Sequence, residues 1–218
     1  MKKQIKIALA DDHVLLRDAL ASLIDQYEDC KVICRSVNGK ELIEFVKKGG
    51  IPDVAILDLN MPVMDGYETA SWLKENFPDT QVLMLTMYDS EIAMIRLLQA
   101  GVKGFLKKDV HPDELKYAIQ SVIQNGFYYS HFASGKLANL FRKDRNNNMT
   151  FQKSIFSDQE VDFLKLSCTE LTYKEIATKM KLNPRAIDNL RDNLFEKIEV
   201  KSRVGLAMYA IKNGLMGF

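Results

Sequence analysis

Four strand-like segments of this chain end in side chains able to do chemistry. Asp58 closes the apolar run Val54-Ala55-Ile56-Leu57 and is followed by Leu59-Asn60-Met61-Pro62 and then Asp65-Gly66. A short apolar run stopped by Asn, Pro and Asp-Gly reads as a buried strand ending at a loop. Asp11 and Asp12 close a second run, Ile5 to Ala10. Thr86 closes a third, and Lys107 and Lys108 follow a fourth, Gly104 to Leu106. Carboxylates gathered from two strand ends repel one another and need a counter-ion, and hard oxygen ligands select Mg²⁺ or Mn²⁺. With the cation bound, Asp58 could attack phosphorus and form an acyl phosphate, while the metal offsets charge on the equatorial oxygens. Thr86, with Lys107 or Lys108, would complete such a site. Any one of these groups alone is more commonly a solvated surface side chain. Matching groups, each at its own strand end, point to a built site.

The elements that must position these groups alternate. Strand patterns cover Ile5–Ala10, Lys31–Ser36, Val54–Asp58, Gln81–Thr86 and Gly104–Leu106. Helix patterns cover Val14–Asp25, Gly39–Lys47, Gly66–Asn76, Glu91–Ala100 and Pro112–Gln124. This alternation predicts an α/β fold, a doubly wound five-stranded parallel sheet of flavodoxin-like order. In that order the first and third strands are neighbours at the switch point, where open α/β sheets build their sites. Residues 1–125 therefore read as one domain. Residues 126–154 change character: "RKDRNNNMTFQKS" is polar and aperiodic, which predicts a linker preceded by a short helix near Phe132–Phe141. Residues 155–218 carry helix signals alone. Ser157 to Glu160 and Thr172 to Glu175 are capping boxes, and Asn183-Pro184 is an N-cap followed by proline at the first helical position. Such close starts predict short helices in a small all-α helix-turn-helix domain, with a last helix near Ser202–Lys212.

Composition narrows the classes. The chain is 47% hydrophobic and 27% charged, which suits a globular protein and not a disordered one. No apolar stretch is long enough to span a bilayer, and Asp11 cuts short the N-terminal apolar run, so a cytoplasmic protein without a membrane partner is expected. The three cysteines, Cys30, Cys34 and Cys168, suggest no disulfide scaffold, and the three histidines show no ligand spacing. Residues 1–125 hold 15 basic and 19 acidic side chains, whereas residues 151–218 hold 11 and 9, so the two ends are suited to different partners.

The segments "ADDH", "LDLNMPVMDGYE", "VLMLTMYD" and "GVKGFLKKDVHP" closely resemble the receiver domain of two-component response regulators over about residues 3–125. The resemblance implies that Asp58 is the phospho-acceptor for a sensor histidine kinase. It implies that Asp12, Asp58 and the backbone carbonyl of Asn60 bind Mg²⁺, with Asp11 helping through water. Lys108 matches the lysine that pairs with the phosphoryl group, Thr86 the switch hydroxyl and Phe105 the switch aromatic. Phe105 keeps the ring of the tyrosine common at that position and lacks its hydroxyl. Slow self-dephosphorylation is expected of such a domain. A dedicated hydrolase is disfavoured, because "DLN" lacks a second acid two residues on.

The segment "FSDQEVDFLKLSCTELTYKEIATKMKLNPRAIDNLRDNLFEKIEVKSR" resembles a LuxR-type helix-turn-helix, so the whole chain resembles a NarL/FixJ-family response regulator. The resemblance implies double-stranded DNA as a partner and a homodimer when phosphorylated or DNA-bound. The helix from Pro184 to Ile198 departs from the family where contacts are made. Ile187, Asp188, Asn189 and Leu190 stand where the family has the Val-Lys-x-His that reaches DNA, Ala186 replaces the usual threonine before them, and Glu170 and Lys181 replace turn glycines. The residues expected to reach DNA are therefore Arg185, Asn189, Arg191 and Asn193, with Lys174, Lys197, Lys201 and Arg203 on phosphates. The same departures leave a rival reading, a phosphorylation-gated adaptor whose helix-turn-helix binds protein.

Overall fold

The computed structural model describes residues 4–87, 91–130, 134 and 156–215. The expected helix near 132–141 and most of the expected linker lie outside them. The chain divides into two compact units, residues 1–87 with 96–136, and residues 137–218 with 88–95.

The first unit is a parallel sheet with crossover helices. The elements along it are β1 (Ile5–Ala10), α1 (Val14–Ile24), β2 (Cys30–Ser36), α2 (Gly39–Lys47), β3 (Val54–Asp58), α3 (Gly66–Asn76), β4 (Gln81–Thr86), α4 (Glu91–Gln99, of which residues 91–95 fall in the second unit), β5 (Gly104–Lys107), α5 (Pro112–Asn125) and β6 (Tyr128–Tyr129). The order across the sheet is β2-β1-β3-β4-β5-β6. Every residue of β3 is buried, as expected of a strand covered on both faces. Val54 and Ile56 point into a core with Ile7, Leu9, Leu83, Leu85, Leu115 and Ile119. By alternation, Ala55 and Leu57 serve the opposite face. The predicted five-strand order is observed, with β1 beside β3. The sixth strand was not predicted. It has two residues, too few for any periodicity to show, and it exists because Tyr128 and Tyr129 pair with Gly104 and Phe105.

Local signals set the helix ends. Asn38 accepts from the Glu41 amide, and Asp65 forms a full capping box with Glu68. Each cap satisfies amides that the helix leaves without partners. Helix α5 starts at Pro112 and ends at Gly126, whose φ of 81° closes the helix in a conformation costly for other residues.

Besides residues 91–95, the described residues of the second unit form four helices: α6 (Asp158–Ser167), α7 (Tyr173–Lys179), α8 (Pro184–Lys197) and α9 (Arg203–Lys212). Both predicted capping boxes form, Ser157 with Glu160 and Thr172 with Glu175. Asn183 caps α8 by accepting from the Ala186 amide. Val161, Phe163, Leu164, Ile176, Ile187 and Leu194 join Leu206 and Ala210 in one core. The turn from α7 to α8 puts Lys181 at φ 56°, in the left-handed region. This explains why glycine suits that position, and the lysine holds it at a cost of about 1–2 kcal/mol.

Gly66 ties the fold to the loop after Asp58. Its amide donates to Leu59 O at 2.9 Å, and an added Cβ would lie 2.3 Å from the Asp58 carbonyl oxygen. That obstacle is backbone, so it yields only if the loop moves. Gly66→Ala should lower the stability of the first unit by about 1–3 kcal/mol in urea unfolding. An unchanged midpoint would show that the loop relaxes freely.

Candidate functional site

Parallel pairing of β1 with β3 brings the ends of both strands together, and their acids come with them. Asp11 and Asp58 are buried, with side chains 4% and 6% exposed. Asp12 stands more open beside them. Lys108, on the loop after β5, bridges the two buried acids: its Nζ lies 2.8 Å from Asp58 Oδ2 and 3.0 Å from Asp11 Oδ2. The sequence left Lys107 and Lys108 as alternatives before any resemblance was weighed. The side chain of Lys108 is 10% exposed and takes this place.

Burial pushes the Asp58 carboxyl above the usual carboxylate range, against the pull of Lys108 and with help from the charges of Asp11 and Asp12. Burial works against the Lys108 ammonium, but its interactions with Asp58 and Asp11 outweigh that and hold its pKa above the ordinary lysine value. The Lys108 contact with Asp11 Oδ2 is an ion pair without hydrogen-bond geometry, so that buried oxygen keeps unused acceptor capacity. Ligand atoms from Asp11, Asp12, His13 and Asp58 all lie within 4.8 Å of one another. Three carboxylates against one ammonium leave an excess of negative charge. This set of hard oxygens fits a divalent cation.

His13 is the residue that sequence reasoning missed. Its Nδ1 lies 3.0 Å from Asp12 Oδ1 and 3.2 Å from Asp11 Oδ1, and its amide donates to Asp11 Oδ1 at 2.8 Å. The histidine spacing predicted no ligand cluster. The available signal was its position directly after Asp11-Asp12. Asn60 lies two residues beyond Asp58 on the same loop and is half-buried. Thr86 is buried at the end of β4, and its carbonyl accepts from the Lys108 amide at 3.3 Å. Phe105 is buried on β5 and stacks on Tyr129 with centroids 6.0 Å apart, and Tyr129 stacks on Phe127 at 5.7 Å. The Phe105 ring is thus continuous with a stack that the sequence did not reveal.

In the second unit, the eight residues expected at DNA fall into two groups. Lys174, Arg185, Asn189, Asn193 and Lys201 are exposed. Arg191, Lys197 and Arg203 are engaged within the unit. Arg203 donates from Nε to Ser167 O at 3.1 Å and from Nη2 to Thr169 O at 2.6 Å, satisfying carbonyls at the end of α6. Lys197 Nζ sits 2.9 Å from both carboxylate oxygens of Glu160 and over the Phe156 ring. Arg191 pairs with Asp188 and Asp192. Sequence periodicity marks these cations as polar-face residues but does not show what they pair with.

Comparison with known proteins follows this division. A model of the response regulator receiver domain matches residues 7–120, and a model of bacterial regulatory proteins of the luxR family matches residues 154–210. The oxygen regulatory protein NreC of Staphylococcus epidermidis is 31% identical over 98% of this chain and 100% of its own length. The Staphylococcus carnosus protein of the same name is 30% identical over 98% of this chain. Among solved structures, RcsB from Salmonella enterica serovar Typhimurium, bound to promoter rprA in the presence of the phosphomimetic BeF3−, covers 95% of this chain and 98% of its own. It does so at 21% identity and a TM-score of 0.70, a likeness of fold. The response regulator ChrA of a heme-sensing two-component system covers 98% of this chain and 99% of its own at 25% identity and a TM-score of 0.52.

Two substitutions test these geometries. Lys108→Ala leaves two buried carboxylates without their counter-charge. In chelator at neutral pH it should cost on the order of 3 kcal/mol by urea unfolding, and a loss below about 1 kcal/mol would show the pair to be solvated. Arg203→Ala should destabilise the second unit by about 1–3 kcal/mol, because two carbonyls lose a charged donor. Arg185→Ala, at an exposed position, should stay within about 0.5 kcal/mol. Equal melting shifts for the two arginine variants would contradict the structural role of Arg203.

Proposed function

The chain belongs to the response regulators, with a receiver domain joined to a LuxR-family DNA-binding domain, and we propose that phosphoryl transfer to Asp58 from a sensor histidine kinase gates its output. The proposed division of the chain is a receiver over residues 1–125, a linker over 126–154 and a helix-turn-helix domain over 155–218. The observation that carries the proposal is the Lys108 ammonium bridging Asp58 and Asp11 within a cluster of three carboxylates. Mg²⁺, or Mn²⁺ in its place, held by Asp11, Asp12, Asp58 and the Asn60 carbonyl, would offset charge on the phosphoryl oxygens when bound.

The chain's own residues do the rest. An Asp58 carboxylate oxygen is the nucleophile. Lys108, already within 3.0 Å of both buried acids, stays with the new phosphoryl charge. The Thr86 hydroxyl follows it, and Phe105 repacks against Tyr129 and Phe127. A swing from 1:99 to 99:1 between two states needs about 5.5 kcal/mol of differential stabilisation. Charge-assisted bonds from Lys108, Thr86 and backbone amides are of the kind that supply it. Slow self-dephosphorylation of Asp58, and no other enzymatic turnover, completes the cycle.

The output is double-stranded DNA, bound as a homodimer. Arg185, Asn189 and Asn193 on the exposed face of α8 are the base-reading set, and Lys174 and Lys201 hold phosphates. Arg191, Lys197 and Arg203, expected among the contacts, serve the unit's own architecture. No helix among the described residues is long and apolar enough to cross a membrane.

The test is a random-sequence DNA selection with the full chain, Mg²⁺ and acetyl phosphate, run beside Asp58→Asn. The wild type should enrich a two-fold motif that Asp58→Asn enriches weakly or not at all. A motif of equal strength in both removes phosphorylation as the gate. No motif in either favours the adaptor reading.

A further inference from the structure

The exposed face of α8 carries a carboxylate that is held in place. Asp188 lies in the second turn with a side chain 54% exposed. Arg191 Nη1 donates to Asp188 Oδ1 at 2.9 Å, while Nη2 and Nε reach Asp192 Oδ1 at 2.8 and 2.9 Å. The guanidinium rests 5.4 Å from the centre of the Tyr173 ring. That ring stacks at 6.0 Å on Phe163, which is wholly buried. An ordinary surface pair three residues apart has two mobile partners and little worth. Here the arginine side chain is only 25% exposed and rests on Tyr173, which is itself stacked on buried Phe163, so Asp188 is fixed from the core outward.

A fixed acid on a helix that meets DNA has a specific use. Near phosphates it costs affinity. At a base edge it discriminates, because a carboxylate only accepts hydrogen bonds. In the major groove cytosine offers its N4 amino donor, whereas guanine offers acceptors and thymine a carbonyl and a methyl. Adenine has a donor, but its neighbouring N7 acceptor repels a carboxylate. Arg191 offsets the Asp188 charge and engages Oδ1, leaving Oδ2 with its acceptor capacity. N-terminal turns of a recognition helix are the part that reaches base edges.

From this bracing we propose that Asp188 is a specificity-determining residue that selects cytosine in the bound DNA, chiefly by excluding bases that present acceptors. The inference rests on the DNA-binding reading above and adds to it the identity of a base and of the residue that reads it. Arg191 is then the positioning residue, and the low positive charge of the face is part of the selectivity.

The test is the same selection with phosphorylated full-length protein, comparing wild type, Asp188→Asn and Asp188→Ala. Circular dichroism melting should show all three folded, since Asp188 is exposed. In each half of the wild-type motif one position should prefer cytosine by about tenfold over other bases. Asp188→Ala should flatten that position and leave the others. Asp188→Asn should turn it towards adenine, which an amide takes through N6 and N7, a change that loss of structure could not produce. A wild-type motif that both variants reproduce at every position overturns the assignment and leaves DNA binding standing. A wild type that enriches no motif removes both together.

Discussion

The first unit depends on one electrostatic constraint: buried carboxylates of like sign converge where β1 and β3 end side by side. In a water-poor setting such a group is unstable unless something positive stands within a few ångströms. Lys108 supplies that charge, 2.8 Å from Asp58 and 3.0 Å from Asp11. Much of the surrounding structure serves this contact. Adjacent β4 and β5 carry the lysine to the acids. Gly66 lets the loop after Asp58 fold tightly over its own strand end. One lysine does not neutralise three carboxylates, and the remaining negative charge suits the place to a divalent cation.

The same crowding makes the site a sensitive one. Thr86 and Lys108 are joined through the backbone, and Phe105 lies on the strand that leads to the lysine. Tyr129 and Phe127 extend that ring into a stack at the sheet edge. A close-packed set of rings moves by repacking between discrete arrangements, not by gradual deformation.

The second unit uses charge differently. Arg203 closes the end of α6, Lys197 binds Glu160 over Phe156, and Arg191 is divided between two acids above Tyr173. Three of its cations are thus engaged within the unit. Lys174, Arg185 and Lys201 stay exposed beside them. The exposed face of α8 carries Arg185, Asp188, Asn189 and Asn193.

The sequence by itself determined the order of elements, the parallel sheet, the helix starts and the strand ends that carry Asp11, Asp58, Thr86 and Lys108. These follow from hydrophobic period and capping chemistry, which act over a few residues and so are written locally. Even so, Tyr128–Tyr129 was too short to register as a strand, and His13 was read by the spacing of the three histidines and not by the two acids that directly precede it. Tertiary structure alone decided which charges pair. It chose Lys108 over Lys107, set Arg203 on carbonyls 34 and 36 residues away and braced Asp188 through Arg191 on an aromatic pair from two helices. Local sequence sets which way a side chain faces. Whether an exposed-looking cation is free or committed depends on groups that only the folded chain brings within 3 Å.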